Sequence, residues 1–496
     1  MVKVSLEKYF VGLSKDSLVY GLGNAVLRIL ALLTAPIFTR VFLPAQYGII
    51  SLIASVISFL SILLLLGMDN ALFVSYYQFK NQRKQVISSA FWFLSLWGLL
   101  IIGIASFFSA NFSHLIFKNL LYEKLFLIAF WTAYITLLIN NAKTVLRLEF
   151  KAKLFAIISA MNAILSTGLM IFFVVGLKKG LTGYFLGQLI GTILTLFIAL
   201  FLIRKKLKFK IHFRRLKEML TFGIFILPAG LSFFVFDLSD RFFMNHYRTL
   251  EELGLYSIGI NIAGLLVFFS YALGQAWSPI IMNIYYSSKK IFHQLVPRFF
   301  NYYLLFFFIL AAIVSLFSPE ILKILSTPKF YSASTVVGPL TIAMVFAASN
   351  QVTAMGITLS RQTKYFASCT ICAAILNIIL NFLLIPKYGM LGAAWSTASS
   401  YFFLTVCYYF FSQKFLPINL DLQKIIKLVL LSLVFIIFVP YSWRYHFGVN
   451  LIIKIFELGL LLGMYYLLGI IEKHELIYLK NYISKFYQLS KKVIKR

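Results

Sequence analysis

Charge is what this sequence has least of. Only 12% of its 496 residues are Asp, Glu, Lys or Arg, and the acids are scarcest, 15 against 46 Lys and Arg. With 61% hydrophobic residues and a mean hydropathy of +0.89, a soluble domain with a single water-excluded core is ruled out. Most of the apolar area has to face lipid or other helices, which is the condition of a polytopic membrane protein. Histidine is rare as well. His114, His212, His246, His293, His446 and His474 are scattered, and no zinc-ligand spacing, phosphate-cradling glycine loop or GxSxG elbow occurs. The chain is therefore not expected to be an enzyme or to hydrolyse nucleotides, and no cofactor or metal is expected. Its three cysteines, Cys369, Cys372 and Cys407, fall inside apolar runs. They make no disulfide framework, and Cys369-x-x-Cys372 reads as small-residue helix packing rather than a redox pair. No cleavable signal pattern is expected, because Met1 to Asp16 is polar and basic and the first apolar run is a full span.

The formal charge of +31 invites a nucleic-acid partner. The placement of the cations argues against one, because they cluster between apolar runs as cytoplasmic loops do. The strongest cluster runs from Arg204 to Lys217 and reads as a solvated linker drawn to anionic lipid. Lys143, Arg147, Lys151 and Lys153 read as another basic loop. The apolar runs predict an all-α protein with about fourteen transmembrane helices. If the N-terminus is inside, inner segments carry roughly 33 Lys and Arg and outer ones about 11, which puts both termini in the cytoplasm. The predicted divisions are 1–217, a first lobe with its basic linker; 218–417, a second lobe; 418–471, two further helices; and 472–496, a basic tail able to lie on the membrane.

One stretch stands against the apolar background, Phe236-Asp237-Leu238-Ser239-Asp240-Arg241. It is expected at the far end of a span that begins near Met219. Charges inside a span cost roughly 2.5–3.5 kcal/mol each at a helix centre. Asp237, Asp240 and Arg241 share one helical face, which fits an ion site, a substrate contact or an internal salt bridge; the alternative is a helix end whose charges snorkel to the headgroups. The sequence also repeats itself. Lys153-Leu-Phe-Ala156 and Ala163-Ile-Leu-Ser166 return as Lys364-Tyr-Phe-Ala367 and Ala374-Ile-Leu-Asn377, a shift of 211 residues. Tyr47-Gly48 to Ser51 returns as Leu253-Gly254 to Ser257, a shift of 206. Spans five and eleven cross in the same sense, so the repeat is parallel, six helices against six, with a cavity between two lobes.

The residues also carry a resemblance. Tyr20-Gly21-Leu-Gly-Asn24 leading to Pro36-Ile-Phe-Thr-Arg40 and Tyr47-Gly48, then Asp237 to Phe243, Leu253 to Ser257, Thr363 to Asn377, Asn381, Ile385 to Gly389 and Gly392 to Ala394, is similar in order and spacing to the bacterial oligosaccharide flippases of the multidrug/oligosaccharidyl-lipid/polysaccharide exporter superfamily. That resemblance implies a two-lobed fold and a polyprenyl-diphosphate-linked oligosaccharide as cargo, moved to the outer leaflet. It also implies a place in polysaccharide or lipopolysaccharide biosynthesis, in the inner or plasma membrane, beside a polymerase and glycosyltransferases. A diphosphate calls for arginine, whose fork donates two hydrogen bonds. Arg28 near mid-span is the first candidate and Arg241 the second, with Asn24, Asn377 and Asn381 as polar neighbours for sugar. The alternative for Arg28 is an ion pair with Asp69 or Asp237, and for the asparagines interhelical bonding. Asp237, Asp240 and Asp69 are the candidates for proton or sodium coupling, as in an antiporter. A hydrophobic groove between the last two spans and the second lobe is expected to shelter the lipid tail. The competing functions are a drug or cation exporter of the same superfamily and a membrane glycan polymerase or ligase.

Overall fold

The computed structural model describes residues 30, 33–438 and 447–470, without 209, 225, 226 and 361. Among these the structure is helical throughout, and ten stretches are long and apolar enough to cross a membrane. Asn24, Arg28 and the basic tail 472–496 lie outside the described residues.

A helix over 33–41 leads into α1 (Pro44–Leu65), α2 (Met68–Gln78), α3 (Arg83–Phe107), α4 (Ser109–Phe117), α5 (Glu123–Leu148), α6 (Ala152–Ile171) and α7 (Gly180–Ile203). Pro44 starts α1, where its missing N–H is not needed and its fixed φ suits a first turn. The Gln46 side chain accepts the Leu43 N–H at 2.9 Å and closes that end. Leu66 and Gly67 break the rod with positive φ, and α2 continues it.

After α7 a short turn leads to α8 (Phe213–Ile224), and α9 (Leu227–Tyr247) follows. The linker is laid onto the first half. The Ser88 and Ser89 hydroxyls accept the backbone N–H groups of Lys208 and His212, each at 2.8 Å, and Leu216, Met219 and Gly223 bury the inner face of α8. Residues 225 and 226, between α8 and α9, lie outside the described residues, and Asp237 stands ten residues from both Leu227 and Tyr247, the bounds of α9.

The second half continues with α10 (Leu250–Ala263), α11 (Leu265–Ser287), α12 (Lys289–Leu316), α13 (Ser318–Leu325), α14 (Ser334–Thr353), α15 (Met355–Leu359) and α16 (Thr363–Phe415). A straight helix as long as α16 would reach about 80 Å, far beyond the hydrocarbon thickness of about 30 Å. It does not run straight. Gly389 takes φ 57° and ψ −132°, and the chain doubles back. Thr370 meets the Tyr408 hydroxyl at 2.8 Å and Asn377 donates to Ser400 at 3.3 Å. Both pairs are centred on Gly389, so the two arms are antiparallel. The chain closes with α17 (Leu422–Phe438) and α18 (Phe447–Leu467), tied by Ser432 to the Tyr465 hydroxyl at 2.7 Å.

Apolar packing follows this division. Two buried clusters use only residues from Ile49 to Met219, and the largest uses residues from Leu255 to Ile470. A smaller one, with Leu52, Met244, Leu253, Tyr256 and Ile385, joins the halves. Here α1 and α10 cross at backbone distance. A Cβ on Gly48 would sit 2.2 Å from the Leu250 carbonyl oxygen, and one on Gly254 would sit 1.8 Å from that of Pro44. Positions 44 and 48 stand 206 residues before 250 and 254, so the two contacts exchange under one shift. A second pair of contacts follows nearly the same relation, with shifts of 206 and 209. Thr39 donates to the Leu325 carbonyl at the end of α13 (3.0 Å), and Asn245 donates to the Ile116 carbonyl at the end of α4 (2.7 Å).

Candidate functional site

Helix α9 carries the charges across the middle of the fold because it packs on both halves. Along its length Arg241 meets Ser51 and Phe234 meets Phe59 on α1, while the side of Ser239 and Asp240 faces α10 and α16. Asp240 is 3% exposed. Its Oδ2 accepts a short hydrogen bond from the Tyr256 hydroxyl, and its Oδ1 accepts from Arg241 Nη1 at 3.1 Å and from the Arg241 backbone N–H at 2.8 Å. Arg241 also donates from Nη1 to the Asp237 carbonyl oxygen at 2.7 Å and from Nε to Ser51 at 3.3 Å. Asp237 is more open, and its Oδ1 accepts a short hydrogen bond from the Tyr401 hydroxyl. Two carboxylates thus lie on one helix with one guanidinium, which pairs with Asp240, and each carboxylate has a phenol donor. With both carboxylates ionised the cluster would carry one formal negative charge in excess of its arginine. In a low-dielectric span that difference is large.

Asn377 and Asn381 are fully buried on the first arm of α16. Asn381 donates to Asn377 Oδ1 at 2.8 Å and to Ser239 at 3.1 Å, Ser239 donates to Asn377 Oδ1 at 3.0 Å, and Asn377 donates to Ser400. These bonds join α9 to both arms of the α16 hairpin. Both asparagines are buried and brace α9 against the α16 hairpin, while Asn381 Oδ1 has no hydrogen-bond partner among the described residues. Asp69 does not join the cluster. It is exposed in the first turn of α2, about 27 Å along the rod from Ser51 at 1.5 Å per residue. Arg241, expected as a phosphate ligand, is committed to Asp240 and backbone oxygen. The tyrosines of the site gave no signal in the sequence beyond the place of Tyr256 beside Gly254, and Tyr401 gave none.

Each half also holds a hollow. In the first half a cavity of about 320 Å³ lies between α1, α5 and α7, with Ser58, Ser61, Thr132, Thr136, Asn140 and Gln188 as its polar lining. In the second half a groove of about 500 Å³ runs between α12, α14, α16 and α17, with Phe346, Trp395, Phe402, Ile426 and Leu430 among its walls.

Comparison with known proteins agrees with this architecture. The family described as "Polysaccharide biosynthesis protein" matches residues 13–285 and the MatE family matches residues 227–383. An uncharacterized membrane protein of Methanocaldococcus jannaschii is 24% identical over 267 residues, which cover 53% of this chain and 52% of that protein. The probable low-salt glycan biosynthesis flippase Agl15 of Haloferax volcanii is 24% identical over 263 residues, covering 51% of this chain and 54% of its own. The chain thus spans about half the length of these curated relatives. Among solved structures, the lipid II flippase MurJ in an inward closed conformation superposes with a TM-score of 0.73 at 19% identity, over 90% of this chain and 99% of its own. That likeness is one of fold. With more than half its length matched, this multi-pass membrane protein belongs to the polysaccharide biosynthesis protein family, within the superfamily of multidrug and oligosaccharidyl-lipid exporters.

Proposed function

We propose that the protein flips a polyprenyl-diphosphate-linked oligosaccharide from the inner to the outer leaflet by alternating access. The observation that carries this reading is the apolar groove walled by α17. A polar head unaided in hydrocarbon loses its hydration at prohibitive cost, whereas a long prenyl tail needs only an apolar channel open to lipid. The groove in the second half supplies one, and the first half holds a polar cavity. Helices α17 and α18 follow the two proposed lobes and pack on the second, and a small soluble cargo needs neither. On this reading 1–217 and 218–417 are lobes related by a parallel two-fold with about fourteen crossings in all. The exchanged contacts of Gly48 with Leu250 and of Gly254 with Pro44 support that relation. Both termini face the cytoplasm of the inner or plasma membrane, and glycosyltransferases and a polymerase act before and after. Arg28 remains the diphosphate ligand of this proposal.

Purified protein in vesicles with a fluorescent prenyl-diphosphate glycan tests it. Protein-dependent exposure of the glycan to an impermeant quencher is expected. Vesicles that export a hydrophobic cation and leave the lipid in place would show the drug-exporter alternative instead.

Coupling is assigned to the α9 carboxylates, because one negative charge is left over when both are ionised. Asp237→Asn or Asp240→Asn is expected to remove the pH or sodium dependence of flipping and to slow driven transport about tenfold, within the usual range of coupling energies. Initial rates with and without an imposed gradient decide it. Full gradient dependence in both variants makes the carboxylates architectural.

A further inference from the structure

The two cations at the inner end of α5 were read from the sequence as part of a loop. The structure puts them in the helix, which continues to Leu148. Ala129, Thr132, Thr136 and Asn140 line the cavity of the first half. Lys143 and Arg147 follow at spacings of three and four, so they extend the same helical face. Arg147 lies about 10 Å beyond Asn140 along the axis. The polar lane of the cavity therefore runs out between two positive charges.

Among the described residues, neither cation has a carboxylate within 4 Å. Their charged groups rest on rings instead, Lys143 Nζ 5.3 Å from the centre of Phe155 and Arg147 Cζ 5.7 Å from that of Phe73. The nearest acid in sequence, Glu149, is occupied by Lys151 at 2.9 Å and Lys206 at 2.8 Å. The second of those pairs also fixes this end of α5 to the basic linker, so it is the lysine- and arginine-rich end of the protein, which faces the cytoplasm. Phe73 is 41% exposed, and Tyr77 packs against it with ring centres 5.3 Å apart. A surface cation that only snorkels reaches water and shares it with nearby acids. Here two unpaired cations sit one turn apart, over aromatic rings, at the mouth of a polar cavity.

We propose that Lys143 and Arg147 form a loading site for a lipid diphosphate at the inner leaflet, which holds the headgroup before it enters the cavity. This rests on the flippase reading for its ligand and adds the place where the ligand first binds. Diphosphate matches the site because its two phosphoryl groups span a pair of cations a helical turn apart, and Arg147 can bind bidentately. The exposed Phe73 lies where the first sugar would stack.

The test uses the purified full-length protein in detergent with sugar-free polyprenyl diphosphate, phosphatidylglycerol and inorganic pyrophosphate as separate probes, read by native mass spectrometry. The wild-type protein is expected to bind the prenyl diphosphate at least about tenfold more tightly than phosphatidylglycerol, since single-charge headgroups engage one cation only. Lys143→Gln/Arg147→Gln is expected to lose about tenfold in affinity for it. Lys143→Arg/Arg147→Lys keeps both charges and should retain most binding, which separates lost charge from lost folding. Lys153→Gln/Lys217→Gln removes equal charge from the neighbouring surface and should change little. Equal binding by the Gln variant and the wild type would overturn the site. Equal affinity for phosphatidylglycerol would reduce it to general adhesion to anionic lipid, and pyrophosphate binding as tight as the lipid's would make it a site for free anions. If the wild type binds no prenyl diphosphate at all, the flippase reading fails with it.

Discussion

Gly254→Val is expected to prise the two halves apart where α1 and α10 cross, and to abolish transport. The Cβ alone would lie 1.8 Å from the Pro44 carbonyl oxygen and 3.1 Å from the Gly48 nitrogen. Both are backbone atoms, so no rotamer change relieves the clash, and the helices must separate. Overpacking of this kind costs about 1–3 kcal/mol, and more where backbone has to move. The crossing is also close to other ties. Arg248 donates to the Ile385 and Pro386 carbonyls at 3.0 and 2.9 Å, and Glu252 accepts the Met390 N–H at 2.6 Å. Separating α10 from α1 therefore strains the bend of α16 too. Gly48→Val, opposite Leu250, should give the same phenotype. Hydrogen exchange is the measurement, with faster exchange expected over 44–52 and 250–258 and a lower melting temperature. Variants that match the wild type in both would show that the close crossing is not what holds these halves.

Much of this crossing was legible in the sequence. Tyr47-Gly48 and Leu253-Gly254 recur at one shift, and glycine where helices meet marks close approach. The breaks at Gly67 and Gly389 were legible for a related reason, since few other residues tolerate such backbone angles. Asp237, Asp240 and Arg241 stood out because a charge inside an apolar span needs a cause. Their partners did not stand out. With 28 Tyr and 53 Phe in the chain, an aromatic residue carries almost no contrast, and Tyr401 lies 164 positions from the carboxylate it bonds. Asn377 and Asn381 showed their common face by spacing, but Ser239, which they meet, belongs to another helix. Lys143 and Arg147 were read with the basic loop because cations mark where the bilayer ends, whereas the helix itself continues to Leu148. Asp69 was grouped with the other acids only because acids are few.

The expected structure of the groove has its own weak point, and Lys454→Met addresses it. Lys454 on α18 bonds both Glu320 oxygens on α13, at 2.8 and 2.6 Å, with each side chain 5% exposed. Two charges brought out of water gain little net stability when well paired, but removing one strands the other, at a cost of about 3–5 kcal/mol. Lys454→Met is therefore expected to destabilise the protein by about that amount. Glu320→Gln should be milder, because the amide still accepts from the ammonium. The pair is also positional. Besides Ser315, which donates to the Ile436 carbonyl at 3.1 Å, it is a polar tie between the last two helices and the core of the second half. Its loss should free α17 and α18 to move away from the groove. The double variant Lys454→Met/Glu320→Leu removes both charges and fills the space with apolar volume. It is expected to recover the melting temperature, since replacing a buried pair by hydrophobic residues is often neutral or stabilising. If lipid flipping recovers along with it, the pair serves only to fasten the helices. Recovery of stability without recovery of flipping would show that the charges themselves act in transport.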